Sequence, residues 1–149
     1  MSYSSKDGTI KLTPSAGPFK DKTVTLQHFT EATFDPAHKS TAQKGNGRVA
    51  YIAEGVAEPK LSITMTSALE AGNVAEMLID EATGQKYPCT ITHVFRRTGI
   101  GTLSYRFTGA KHSAGGGYSA KDDGVTDKLE FLMTGAARSR NGGKYKRVV

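Results

Sequence analysis

The stretch KLSITMTSALEAGNVAEMLIDEATG, residues 60–84, carries two incompatible periodicities. In its first part Leu61, Ile63 and Met65 alternate with Lys60, Ser62, Thr64 and Thr66, the period of two that marks a half-buried strand. In its second part Leu69, Val74, Met77 and Leu78 fall near one stripe of a helix. Ser67 with Glu70, or Asn73 with Glu76, fits a capping box, and Gly84 supplies a C-terminal stop. Gly72 weakens the first turn, so the start is Ser67 or Asn73 and a single helix of about three turns is expected.

Outward from this stretch only the strand period recurs. GTIKLT sets Ile10 and Leu12 on one face, and KTVTLQ does the same with Val24 and Leu26. The PSAGPFKD between them, with two prolines and a glycine, reads as a hairpin connection. RVAYIAE, from Arg48, offers Val49 and Tyr51, or Ala50 and Ile52 on the other face. TITHVF, TLSYRFT and KLEFLMT follow, with Leu103, Tyr105 and Phe107, then Leu129, Phe131 and Met133, expected inward. About seven or eight short strands around one helix predict a mainly β fold. The expected architecture is two packed antiparallel sheets, a sandwich or squat barrel, with one flanking α-helix and two long loops. Those loops are Phe34 to Gly47 and Gly109 to Thr126, and structureless connections of such length are usually functional or disordered. In the first, Asp35 to Lys44 reads as a reaching loop without core residues, and Gly45 to Gly47 as the turn back into a sheet.

The 149 residues read as one domain, 1–149, ending in a basic arm of about residues 138–149. No apolar run approaches the roughly 20 residues that span a bilayer, and MSYSSKDGTIKLT lacks the apolar segment of a signal peptide. Cys89 is the one cysteine, so no internal disulfide forms, and its apolar surroundings place it in the core. The net charge is +6, and Arg138, Arg140, Lys144, Lys146 and Arg147 concentrate it. Setting those five aside leaves 15 basic residues against 14 acidic, a nearly neutral body. A basic tail of this kind suits a solvated or interfacial arm, or nucleic-acid binding by counterion release.

Motifs for chemistry fail on context. GNGRVA, residues 45–50, approaches a dinucleotide fingerprint, but it opens a strand where the pyrophosphate needs a helix N-terminus. GGGYSAKDDG lacks the lysine of a phosphate loop, and Asp122 and Asp123 lack the other oxygen ligands of a calcium loop. His28, His38, His93 and His112 show no metal-ligand spacing, and there is no nucleophile elbow. No catalytic, cofactor or metal residue is assigned, and no enzyme is expected.

YSSKDGTIKLT, then EGVAEPKLSITMTSALEAGNVAEMLIDEATG, then DKLEFLMTGA after a Gly-rich loop, together resemble the phage major tail tube proteins in order and layout. The resemblance covers most of the chain and implies two packed sheets with a flanking helix, without cofactor. It further implies hexameric rings stacked into a hollow tube through which DNA is ejected, made in the host cytoplasm and housed in the virion tail. The implied partners are other copies of the chain, a tape measure, a tail tip or baseplate, a terminator and, in a contractile tail, a sheath, with DNA passing unread. Edge-to-edge pairing between subunits needs open sheet edges, and threonine-rich faces such as Thr64/Thr66 and Thr90/Thr92 tolerate pairing and hydration together. Inter-subunit contacts are expected at His38, Lys39, Lys44, Arg48, Asp122, Asp123, Arg138, Arg140, Lys144, Lys146 and Arg147. The five tail cations are expected away from the channel, since a cationic lumen would hold phosphates. The rival reading is a small basic β-barrel that binds nucleic acid.

Overall fold

The computed structural model describes residues 3–45, 47–55 and 57–149, giving the backbone alone at 5, 41, 43, 44 and 49–54. A short 3-10 turn, Ser5–Asp7, leads into β1 (Gly8–Pro14), β2 (Val24–Thr25), β3 (Phe29–Asp35), β4 (Ser40–Gly45), β5 (Arg48–Glu54) and β6 (Lys60–Met65). Helix α1 (Ala68–Met77) follows, then β7 (Cys89–Arg97), β8 (Gly101–Ala114), β9 (Ser119–Lys121), β10 (Gly124–Leu132), β11 (Gly135–Arg140) and β12 (Lys146–Arg147). All strand pairings are antiparallel.

β8 serves two layers. Its first half pairs with β7 and β11, whereas Lys111, His112 and Ala114 pair with β10. The first layer therefore runs β2-β1-β7-β8-β11-β12 and the second runs β8-β10-β6-β3. The path ends at β2 and β3, which do not pair, so the expected pair of sheets is open and does not close into a barrel. Phe34 of β3 meets Phe107 of β8 with ring centroids 4.9 Å apart, and Phe29 meets His93 of β7 edge-on at 6.3 Å. These aromatic pairs join the two inner faces.

The bend in β8 is local chemistry. Gly109 has φ +60°, a left-handed conformation that a side chain resists. Opposite it, the backbone N–H and the Oγ1 hydroxyl of Thr134 both donate to the carbonyl of Thr108, each at 3.1 Å. A Cβ at residue 109 would collide with that hydroxyl. The junction lets β8 and the β10–β11 strands turn together from one layer to the other, as corner strands do.

The core follows the alternation. Ile10, Leu12, Ile91 and Phe107 from the first layer meet Leu61, Ile63, Met65, Leu129 and Phe131 from the second, all essentially inaccessible. Cys89 is buried among them, and burial pushes its thiol up to about 12. Ser67 caps α1, its hydroxyl accepting from the Glu70 N–H at 3.3 Å. The Glu70 carboxylate does not return to the cap. It accepts from the N–H groups of Gln27 and His28 at 2.8 and 3.2 Å and meets His28 Nδ1 at 2.9 Å, tying the helix to the start of β3.

Several expectations are corrected. Phe34 to Gly47 is not a structureless loop: β4 and β5 form a two-stranded hairpin, with Gly45 paired to Arg48. STAQKG shows no apolar alternation, and β4 pairs with β5 in a two-stranded sheet apart from the two layers. Gly109 to Thr126 is likewise mostly strand, in β8, β9 and β10. His112 holds an inward position of β8 where an apolar residue would have advertised the strand. The helix ends at Leu78, and Gly84 instead closes a separate turn by donating to the Asp80 carbonyl at 2.7 Å. Leu69 is 77% exposed, since at 3.6 residues per turn it lies about 140° from Val74, while Ala71, Val74 and Leu78 share the buried stripe. The inward face of RVAYIAE lies outside the described side chains.

Two histidines sit in this core with unpartnered ring nitrogens: Nε2 of His93, and both nitrogens of His112. Burial pushes His93 down to about 4, and burial foremost, then Lys86, lowers His112 against the opposing effects of the Ala114 backbone and Asp127. Above about pH 6.5 both folded and unfolded His93 are neutral and the fold keeps its full stability. As pH falls from 6.5 towards 4 the unfolded chain takes the proton first, and up to about 3 kcal/mol is lost. Urea unfolding across that window should show this slope, and His93→Phe should reduce it. At the bend, Gly109→Ala should cost about 1–3 kcal/mol in the same assay. Gly72→Ala, in open space on α1, should instead gain about 0.5–1 kcal/mol.

Candidate functional site

Among the described residues no three His, Cys, Asp or Glu side chains converge as a metal site would need. What the fold exposes is a set of surfaces suited to contact. The outward face of the second layer is fixed by register. One row reads Asp35, Lys60, Leu132 and Lys111, the next centres on Thr33, Ser62 and Glu130, and a third on Glu31, Thr64 and Lys128. Three acids therefore face three lysines. Glu130 bridges Lys60 at 3.3 Å and Lys128 at 3.4 Å, and Lys60 foremost holds its carboxyl below the usual range. This face is polar, hydroxyl-bearing and without net charge.

Both borders of that layer are open. Among the described residues β3 pairs with β6 alone, and β7 accompanies β8 only as far as Ala110, so Lys111–Ala114 pair on one side only. An unpaired strand edge carries N–H and C=O groups that invite another strand.

The ends of the layer carry the other features. The β4–β5 hairpin leaves where Asp35 pairs with Lys60, and its base is held by the Gly55 N–H donating to the Lys39 carbonyl at 2.7 Å. Lys39 Nζ also pairs with Glu58 at 2.8 Å, holding that carboxyl low. Arg48 is exposed on β5, and the Lys44 side chain lies outside the described side chains. Beside the base is a cleft of about 390 Å³, lined by His38, Ala57, Pro59, Thr134, Arg147 and Val149 among others. The fold thus brings together His38 and Arg147, which are 109 positions apart in the chain.

Asp122 and Asp123 lie elsewhere, at the exposed two-residue turn between β9 and β10. β10 runs from that turn to Leu132, next to the cleft, so its 9 residues separate the two sites by about 30 Å. Among the described residues no ion pair within the chain joins these aspartates to the basic C-terminal stretch. That stretch is a hairpin: β12 pairs with β11, Val148 donates to the Ala136 carbonyl at 2.9 Å, and Val148 and Val149 pack on the core. Arg138, Arg140, Lys144, Lys146 and Arg147 are all exposed there. Tyr145 lies under the Arg106 guanidinium at 4.2 Å, a cation–π contact. Arg147 shares a row with Arg106 and Lys11 on the outward face of the first layer, so positive charge gathers on that side.

Sequence reasoning missed Tyr118 and Val125, which are 76% and 48% exposed beside the aspartate turn. Val125 is in phase with the buried Leu129, but β10 has run past the core there and only β9 lies alongside. The clue is that its neighbours SAK on β9 hold no core residue.

No family model and no curated protein matches the chain. Solved structures do. A chain of the anti-feeding prophage baseplate aligns over 96% of this chain and 99% of its own, with a TM-score of 0.64 and 6% identity. A chain of the sheath–tube complex of the PVC extracellular contractile injection system, in its extended state, gives 0.63 over 93% and 92% at 8% identity. Hcp1 from Salmonella typhimurium gives 0.52 over 95% and 92% at 12%.

The hairpin is an appendage whose ends already meet, so replacing residues 40–54 by a short Gly-Ser link should leave a folded subunit. Circular dichroism and thermal melting should report an unchanged strand signal and a midpoint within a few degrees of the parent. At these identities the likeness speaks for architecture, and the chain has a tail tube-like fold.

Proposed function

We propose that this chain is a structural subunit that assembles with copies of itself into stacked rings forming a hollow tube. The observation that carries this reading is the second layer, with an open edge on each side and a polar, charge-balanced face between them. Joining β3 of one copy to the free border of β8 in the next satisfies both edges head to tail. Such a contact closes into a ring when its rotation closes. The neutral face then lines the bore, and the exposed cations of the C-terminal hairpin lie on the other layer, away from it. A bore of that kind does not hold a polyanion by counterion release, which suits passage of DNA without binding.

Six copies per ring is the number we propose, on the likeness to a baseplate chain from a 6-fold symmetrised assembly. The contacts to a tip or baseplate, a terminator, a tape measure and a sheath belong to the same reading, as does a place in a virion tail. The basic outward face of the first layer, with Lys11, Arg106 and Arg147, supports the alternative of a monomeric nucleic-acid binder.

Electron microscopy of concentrated purified protein separates the two. Rings or tubes with an open centre are the expected result. A monodisperse monomer that binds DNA with a steep salt dependence would replace this reading with the alternative.

A further inference from the structure

The two ends of β10 carry surfaces that complement each other. At one end the β9–β10 hairpin stands clear of the core and presents Tyr118 and Val125 with Asp122 and Asp123 at its tip. At the other end lies the cleft with Ala57, Pro59 and Val149 on its walls and His38 and the cationic Arg147 at its margin. Within one subunit the two cannot meet, because the strand between them is about 30 Å long.

We propose that the β9–β10 tip of one copy seats in the His38–Arg147 cleft of the next copy along the tube axis. This rests on the self-assembly reading above and names the elements that join one ring to another. Asp122 and Asp123 then lie against Arg147 and His38, and Tyr118 and Val125 cover the apolar wall. Lys121 flanks the tip, and Lys39 is already engaged by Glu58, so Arg147 is the cation that meets the aspartates. Charge complementarity and exposed apolar area at the same tip point to the same occupant. Because donor and acceptor sit at opposite ends of one strand, the contact repeats without closing, as a head-to-tail filament requires. The contact also gives the tube a direction, since tip cannot meet tip without opposing four carboxylates.

The test is charge reversal, with assembly read by electron microscopy and sedimentation at low salt. Asp122→Lys/Asp123→Lys alters only an exposed turn, and is expected to leave rings while reducing tube length at least tenfold. Arg147→Glu should do the same, and the triple variant should restore tubes by exchanging the signs. Tyr118→Ala, which needs no reversal of charge, should shorten tubes with a weaker salt dependence. If wild-type protein forms tubes and Asp122→Lys/Asp123→Lys forms identical ones, the axial contact is wrong while the tube reading stands. Failure of the triple variant to improve on the folded single-side variants would also overturn it, as would loss of rings in the turn variant. If wild-type protein forms neither rings nor tubes, both readings fall together.

Discussion

The fold depends on one junction, where Thr108, Gly109 and Thr134 let a single strand belong to two sheets. Without a left-handed residue at 109, β8 would continue straight and its last residues could not leave β7 for β10. The doubled hydrogen bond from Thr134 to the Thr108 carbonyl fixes the segment opposite at the same level. From this follows the separation of the layers, and with it a core bounded by two inner faces. The open borders follow as well, because a β8 that departs from β7 leaves Lys111–Ala114 with one partner where a continuous sheet would give two.

The same junction sorts charge. Beyond the bend, side chains on the outward face belong to the second layer, where lysines and carboxylates balance and Glu130 couples two of them. Before it, the outward residues belong to the first layer, where Lys11, Arg106 and Arg147 align. The protein therefore has one neutral face and one cationic one, although its composition reports only a net charge of +6. A tube built with the neutral face inward keeps its cations for protein contacts, which is the physical basis of the proposed role.

What the sequence made legible was set by burial. Where KLSITM and KLEFL lie over the core, alternate apolar residues record the strand and the inward set is read correctly, whereas FTEATFD and GAARSR, β3 and β11, also reach the core but do not stand out as strands in the sequence. β4 stands in a two-stranded sheet apart from the two layers, β9 has no core beneath it and the end of β8 buries a histidine, so they carry no such record. Such segments read as loops in the sequence. The proposed assembly surface draws mostly on such segments, the hairpin base and the aspartate turn, together with the C-terminal hairpin. Sequence named many of the charged residues involved, but which of them share a cleft depends on long-range pairing that no local pattern encodes. Leu69 shows the converse failure, since an apolar residue near a helical stripe points outward while Ala71, Val74, Met77 and Leu78 reach the core.

The central claim is that the two free strand borders of the second layer pair with each other between copies. Backbone hydrogen exchange on β3 and on residues 111–114, measured in the isolated subunit and in the assembled form, tests it most directly. The account predicts that amides on the free side of both segments exchange rapidly in the subunit and become protected together on assembly, while those of the core strand β6 change little. Assembled material in which both borders exchange as freely as in the isolated subunit would contradict it.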